Sequence, residues 1–174
     1  MSMFLAAAAS GSSQAPLVPG WLDTWIAASP PGALLTAYGA YTTGVKFTAT
    51  SGAYCNGVRF WWGTGAGPVS VKAALWRVFD GSLVASELIS GVTGGAFYQT
   101  TGAFGSHLLT VGLDYIVSTY YGGGYNTATA LTLSLPQSFP NYDVTAGFVG
   151  NGGGDGYPNG SPQAFGNYVE PIFL

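Results

Sequence analysis

The sequence predicts an all-β fold, an antiparallel β-sandwich of Ig-like or jelly-roll-like type, preceded by an extended N-terminal arm. Three observations carry that expectation. From Gly44 onward apolar and polar residues alternate with period two, in short segments rich in β-branched and aromatic side chains. Those segments are bounded by Gly, Asn, Pro and Asp, the residues that tight turns require. Before Tyr41, by contrast, Pro16, Pro19, Pro30 and Pro31 leave room for neither a long helix nor a central strand. The 174 residues thus divide into an arm, 1–40, and one sandwich domain, 41–174.

Within the arm, the stretch between the two proline pairs holds Trp21, Leu22, Trp25 and Ile26. Their i, i+1, i+4, i+5 spacing gathers them on one side of a single helical turn or two, either as an anchor for another chain or as a cap on the core of their own domain. Strands are expected at 45–50, 54–62, 69–79, 83–88, 96–101, 107–111, 115–121, 130–135, 144–149 and 168–173. Asp80-Gly81 is a hairpin signal, and the runs Gly122–Gly124 and Gly152–Gly156 are Gly-rich loops. In the second strand Val58, Phe60 and Trp62 should face one way, and Arg59 and Trp61 the other. The same alternation separates Val45 and Phe47 from Lys46, so that Gly44-Val-Lys-Phe47 and Gly57-Val-Arg-Phe60 echo each other.

Composition narrows the class of partner. Only 6% of the residues are charged, against about 25% in an average soluble domain. A surface so poor in charge is expected to be covered by neighbours, in a homo-oligomer or a larger assembly. With only Lys46, Arg59, Lys72 and Arg77 as cations and a net charge of −3, there is no basic stripe to follow a nucleic-acid backbone. The uncharged stretches are too broken by Gly, Pro and polar residues to span a membrane. The apolar run from Met3 to Ala9 lacks a basic region before it and is better read as part of the arm than as an export signal. Cys55 is alone, which excludes an internal disulfide; a small buried side chain within a strand is expected.

Catalytic constellations are not apparent. His107 is the single histidine and sits in an expected strand, and the seven carboxylates are dispersed. Asp155, in Asn151-Gly-Gly-Gly-Asp-Gly156, has an oxygen ligand to offer, yet the alternating acidic spacing of a calcium loop is missing. No catalytic residue, metal or cofactor is therefore expected. Aromatic side chains remain as candidate ligand contacts. Trp61 and Trp62 must place one ring on each face of their strand, while Tyr125 and Tyr157 sit in Gly-rich loops, where binding residues concentrate.

The run Gly57-Val-Arg-Phe-Trp61, then Ala74-Leu-Trp76 leading to Asp80-Gly-Ser-Leu-Val-Ala-Ser86, then Tyr115-Ile-Val-Ser-Thr-Tyr-Tyr121 and Asn167-Tyr168, carries a resemblance. In this order the segments resemble the β-sandwich family catalogued as domain of unknown function 4082, over roughly residues 43–174. The resemblance implies a module of large secreted bacterial proteins with a role in adhesion or contact with a cell-surface glycan; it implies no catalytic residues. A lone module with an apolar, Pro-punctuated arm is also similar in architecture to the decoration and minor tail proteins of tailed bacteriophages. That similarity sets the expectation of a virion protein, assembled in the host cytoplasm beside other virion proteins. An extracellular bacterial module is the alternative.

Overall fold

The computed structural model describes residue 40 and residues 42–62, 68–123, 136–149, 154–160, 162–163 and 169–173. Trp21, Leu22, Trp25, Ile26 and Tyr125, and the strand expected at 130–135, lie outside the described residues. Eleven strands are described: β1 (Thr42–Ala49), β2 (Tyr54–Trp62), β3 (Val69–Arg77), β4 (Leu83–Val92), β5 (Ala96–Gln99), β6 (His107–Leu108), β7 (Asp114–Tyr120), β8 (Gln137–Phe139), β9 (Tyr142–Val149), β10 (Pro162–Gln163) and β11 (Val169–Phe173). They form two antiparallel sheets. The large sheet runs β10-β9-β1-β7-β3-β4, with β8 also on β9; the small sheet runs β11-β2-β5, with β6 also on β2.

The two sheets close on one core, as the alternation requires. Val45 and Phe47 of β1, Val71, Ala73 and Leu75 of β3, and Tyr115 and Val117 of β7 meet Cys55, Val58, Phe60 and Trp62 of β2. Phe47 is the centre of an aromatic cluster, stacked on Tyr115 and edge-on to Tyr142 and Phe173. Burying each such side chain stabilises the fold by about 1.5–3 kcal/mol relative to leaving it in water.

Several strand ends differ from the sequence expectation for identifiable reasons. β1 begins earlier because Thr42 and Thr43 pair with Tyr120 and Thr119. β6 is only two residues long, since the Leu109 N–H turns to the Ala53 carbonyl and the chain bends at 111–112. β8 and β10 were not expected, as both carry or adjoin prolines; each lies outside β9, where a missing donor is tolerated. Pro171 sits in β11 for the same reason, at the border of the small sheet. The Asp80-Gly81 hairpin forms with Gly81 at φ +67°, and the Asp80 carboxylate accepts from both the Ser82 N–H and hydroxyl. Those bonds, chiefly that of the Ser82 hydroxyl, hold the Asp80 carboxyl below the usual carboxylate range.

A β-bulge at Thr145 alters one face. Lys46 pairs with Ala146 and Phe47 with Val144, so Thr145 is extra and its hydroxyl donates to the Lys46 carbonyl. Val144 therefore faces the main core while Ala146 faces outward, where it joins Ala74, Trp76 and Ile116 in a second buried cluster.

Candidate functional site

The two echoing tetrapeptides hold equivalent positions, one in each sheet. Val45, Phe47, Val58 and Phe60 are buried in the shared core, and the basic residue between each pair faces outward. Lys46 Nζ lies 3.1 Å from Asp114 Oδ2, and Arg59 Nη1 lies 3.4 Å from Oε1 of Glu170, its cross-strand neighbour. Both glycines sit where a side chain would collide. A Cβ on Gly44 would come within 2.5 Å of the Val117 carbonyl oxygen, and one on Gly57 would meet the Thr100 hydroxyl, which accepts from the Val58 N–H. Lys72 and Arg77 are paired too, with Asp155 at 2.8 Å and Asp80 at 3.2 Å. All four cations of the sequence are thus matched to carboxylates of the same chain, and an anionic ligand would have to displace one. Around Asp114, burial raises the carboxyl pKa but is outweighed by hydrogen bonds from Thr48 and Lys46, which hold it below its ordinary value.

Tyr157 is not a free rim residue. Residues 154–160 lie across the outer face of the large sheet, tied at one end by Gly154 N–H to the Ala40 carbonyl and by Thr42 Oγ1 to the Gly154 carbonyl. Further along, the Tyr157 ring stands edge-on to Trp76 over the second cluster, where Ile116 is fully buried. Beneath it Trp76 Nε1 donates to Ser118 Oγ at 2.8 Å. Burial, helped by the negative Asp114, pushes the Tyr157 phenol above its ordinary value. Asp155, the oxygen ligand considered from sequence, is engaged by Lys72 Nζ through both oxygens.

Trp62 is likewise removed from the ligand candidates. Period two turns it into the core, where Phe60 and Tyr121 pack edge-on against it. Trp61 takes the outer face of the small sheet, half-buried and edge-on to Phe97 at 4.9 Å, with the Arg59 guanidinium 4.3 Å above the same Phe97 ring. Glu170 closes this group and is nearly inaccessible, with 4% of its side chain exposed. Phe97 is the more exposed of the two aromatic side chains in this group. The arrangement can stack one flat apolar group and offers no labile proton acceptor in the open.

His107 and Cys55, the single histidine and the single cysteine, are both occupied by structure. His107 Nε2 lies 2.9 Å from the Phe104 carbonyl, which can only accept, so that nitrogen carries the proton. Cys55 is buried, and burial pushes its thiol up to about 12, far from the thiolate a nucleophile needs. Among the described residues no three His, Cys, Asp or Glu side chains stand close enough to hold a metal ion, and no helix is long and apolar enough to cross a membrane.

One surface went unnoticed in the sequence. At the end of the sandwich where β1 finishes, the β1–β2 connection, the loop before β7 and the β3–β4 turn come together. Ala49 N–H donates to the Leu113 carbonyl, Leu109 N–H to the Ala53 carbonyl, and Val78 N–H to the Asp114 carbonyl. Tyr54 and Leu108 are direct cross-strand partners there. Of the eight large hydrophobic side chains that are exposed among the described residues, six lie at this end: Tyr54, Phe79, Leu83, Leu108, Val111 and Leu113. The signal available in the sequence was the stretch 102–113, which has no Asp, Glu, Lys or Arg. Alternation alone could not show it, because Leu108 and Leu109 differ only in which one the fold buries. Comparison with protein-family models, with curated proteins and with solved structures finds no match for this chain.

Proposed function

We propose that this protein is a non-enzymatic structural component of a tailed-bacteriophage virion, a capsid decoration or minor tail protein whose sandwich docks through its N-terminal arm. The observation that supports the reading best is how the surface is allotted. The four cations are matched by carboxylates within the same chain, while large apolar side chains are exposed together at one end. A surface of that kind suits contact with other apolar surfaces, in a homo-oligomer or beside other virion proteins, better than steering a charged ligand. The residues 1–40 that precede the sandwich add Trp21, Leu22, Trp25 and Ile26 and a single charge, Asp23.

The test is fractionation of particles from the producing cells on a density gradient, with the chain followed by antibody. It is expected to band with intact particles. Its recovery only as free protein in the culture medium would overturn the reading.

A second reading, an extracellular carbohydrate-binding or adhesin module, is favoured by one observation, the Trp61–Phe97 pair beside Arg59. An aromatic ring next to a hydrogen-bond donor is suited to the apolar face and hydroxyls of a sugar. Glycan-array binding by the full chain that is lost in Phe97→Ala would support it.

A further inference from the structure

Ala40 and the apolar end lie at opposite poles of the sandwich. Ala40, the last described residue before β1, accepts a hydrogen bond from Gly154 N–H, and Thr42 pairs with Tyr120 at the finish of β7. The exposed Tyr54, Phe79, Leu83, Leu108, Val111 and Leu113 surround the other pole, where β1 ends and β7 starts. The eight residues of β1 separate the two by about 26 Å. Phe79 is 88% exposed and Leu108 61%, so the described residues leave these side chains largely open. The charges nearby, Arg77 with Asp80 and Lys46 with Asp114, neutralise each other in pairs.

We propose that the apolar pole receives the Trp21–Ile26 segment of a second copy, so that copies assemble head to tail. The inference rests on the docking arm put forward above and adds the surface on which it docks. Three features select this occupant. The segment is apolar and nearly uncharged, which matches the pole, and Trp21 and Trp25 are the residue type that most often anchors an interface. Residues 27–39 link that segment to Ala40, and thirteen extended residues reach up to about 43 Å, more than the length of β1 and enough to cross to an adjacent copy. The polarity supplies the third. When copies stack with the same orientation, the pole of one faces the origin of the next one's arm, whereas returning to its own pole would require the arm to retrace the length of the sandwich. A contact between two different surfaces is heterologous, and repeats of it close into a ring or continue as a filament.

A heterologous contact has a distinctive test. Full-length Leu108→Asp/Val111→Asp keeps its arm and loses the pole; full-length Trp21→Asp/Trp25→Asp keeps the pole and loses the arm. Sedimentation velocity over a concentration series is expected to show the wild type in species larger than a dimer, with self-association weakened by about 100-fold or more in either variant. Mixed in equal amounts, the two variants should form a heterodimer and nothing larger. Circular dichroism checks that each is folded, and Leu108→Ser/Val111→Ser replaces the pole variant if the aspartates prevent folding.

Wild-type assembly that persists in the pole variant overturns the head-to-tail contact and leaves the docking arm standing. Assembly that persists in the arm variant overturns both. A folded, monomeric wild type, including one whose arm lies on its own pole, overturns the head-to-tail contact, and so does a mixture that stays monomeric.

Discussion

The Tyr157 ring stands edge-on to Trp76, centroids 6.0 Å apart and planes at 80°, on the face of the large sheet turned away from the main core. This contact makes a second interior. A sheet with one solvated face normally carries polar side chains there, yet here Ala74, Trp76, Ile116 and Ala146 are buried, with Tyr157 and Val78 packed against them. Among the described residues, the covering segment is tied down at Ala40, Thr42, Lys72 and Trp76.

Tyr157→Ala is therefore expected to lower stability by about 1–3 kcal/mol, from lost burial and the lost ring pair. Tyr157→Phe should be nearly neutral, because the ring and not the hydroxyl meets Trp76. Urea unfolding of the two variants measures both. If Tyr157→Ala leaves stability unchanged, the ring is free for a ligand and its assignment to the second interior is wrong.

Gly44→Ala should cost about 2 kcal/mol or more. Its Cβ would meet the Val117 carbonyl at 2.5 Å, the Ile116 Cγ2 at 2.8 Å and the Ser118 Cβ at 3.0 Å, and a backbone in the middle of a sheet has no room to retreat. Gly52→Ala is the control, since nothing lies within 4 Å of its Cβ. Equal thermal midpoints for the two variants would refute the crowding at Gly44.

These positions show what was legible in the sequence. Alternation gave Val58, Phe60 and Trp62 to the core and Arg59 and Trp61 to the outside, because a strand's side-chain period is fixed by backbone geometry. Asp80-Gly81 was legible because positive φ and an Asp cap are local demands. The second interior was not. It depends on a bulge at Thr145 and on where a Gly-rich segment lands, both settled by contacts between residues distant in sequence, Thr145 with Lys46 at 99 positions and Thr42 with Gly154 at 112. Tyr157 consequently read as a loop residue open to ligand. The apolar pole depends on distant contacts too, since Tyr54 opens β2, Leu108 closes β6 and Phe79 lies in the β3–β4 turn, three places that only the sandwich brings to one end.

Glu170→Ala should destabilise the fold by about 3 kcal/mol, since removing one partner of a buried pair leaves Arg59, 12% exposed, without that carboxylate. Arg59→Met with Glu170→Leu, which replaces the pair by apolar groups, is expected to recover most of the loss. A double-mutant cycle on urea midpoints measures the coupling. A coupling energy near zero would mean that the pair adds nothing to stability.

Asp114→Asn should be felt more at neutral than at acid pH. The folded carboxyl titrates below its unfolded value of about 3.9, so its stabilisation is present above that pH and is lost as pH falls through the folded value. Its side chain is 35% exposed, which limits the effect to less than about 1 kcal/mol. Urea midpoints at pH 6 and pH 3 should show the gap between wild type and variant closing at pH 3. A gap of the same size at both would detach Lys46 and Thr48 from the stability of the fold.

Cys55 gives the opposite sign at the other end of the scale. Burial in β2 raises its thiol from 9.0 to about 12, against weaker opposing hydrogen bonds from the Gly57 and Ile172 backbone. The folded state therefore keeps a proton that the unfolded chain releases. Stability from this difference is complete below pH 9 and is lost as pH rises toward 12, at up to about 1.4 kcal/mol per pH unit. Wild type should lose urea resistance between pH 9 and 11 faster than Cys55→Ala. The same burial makes the thiol unreactive toward a thiol-specific disulfide reagent at pH 8 until denaturant is added. Rapid labelling of the native protein, or identical alkaline slopes for wild type and Cys55→Ala, would show that the thiol reaches solvent and that β2 opens at its first residues, next to the apolar pole.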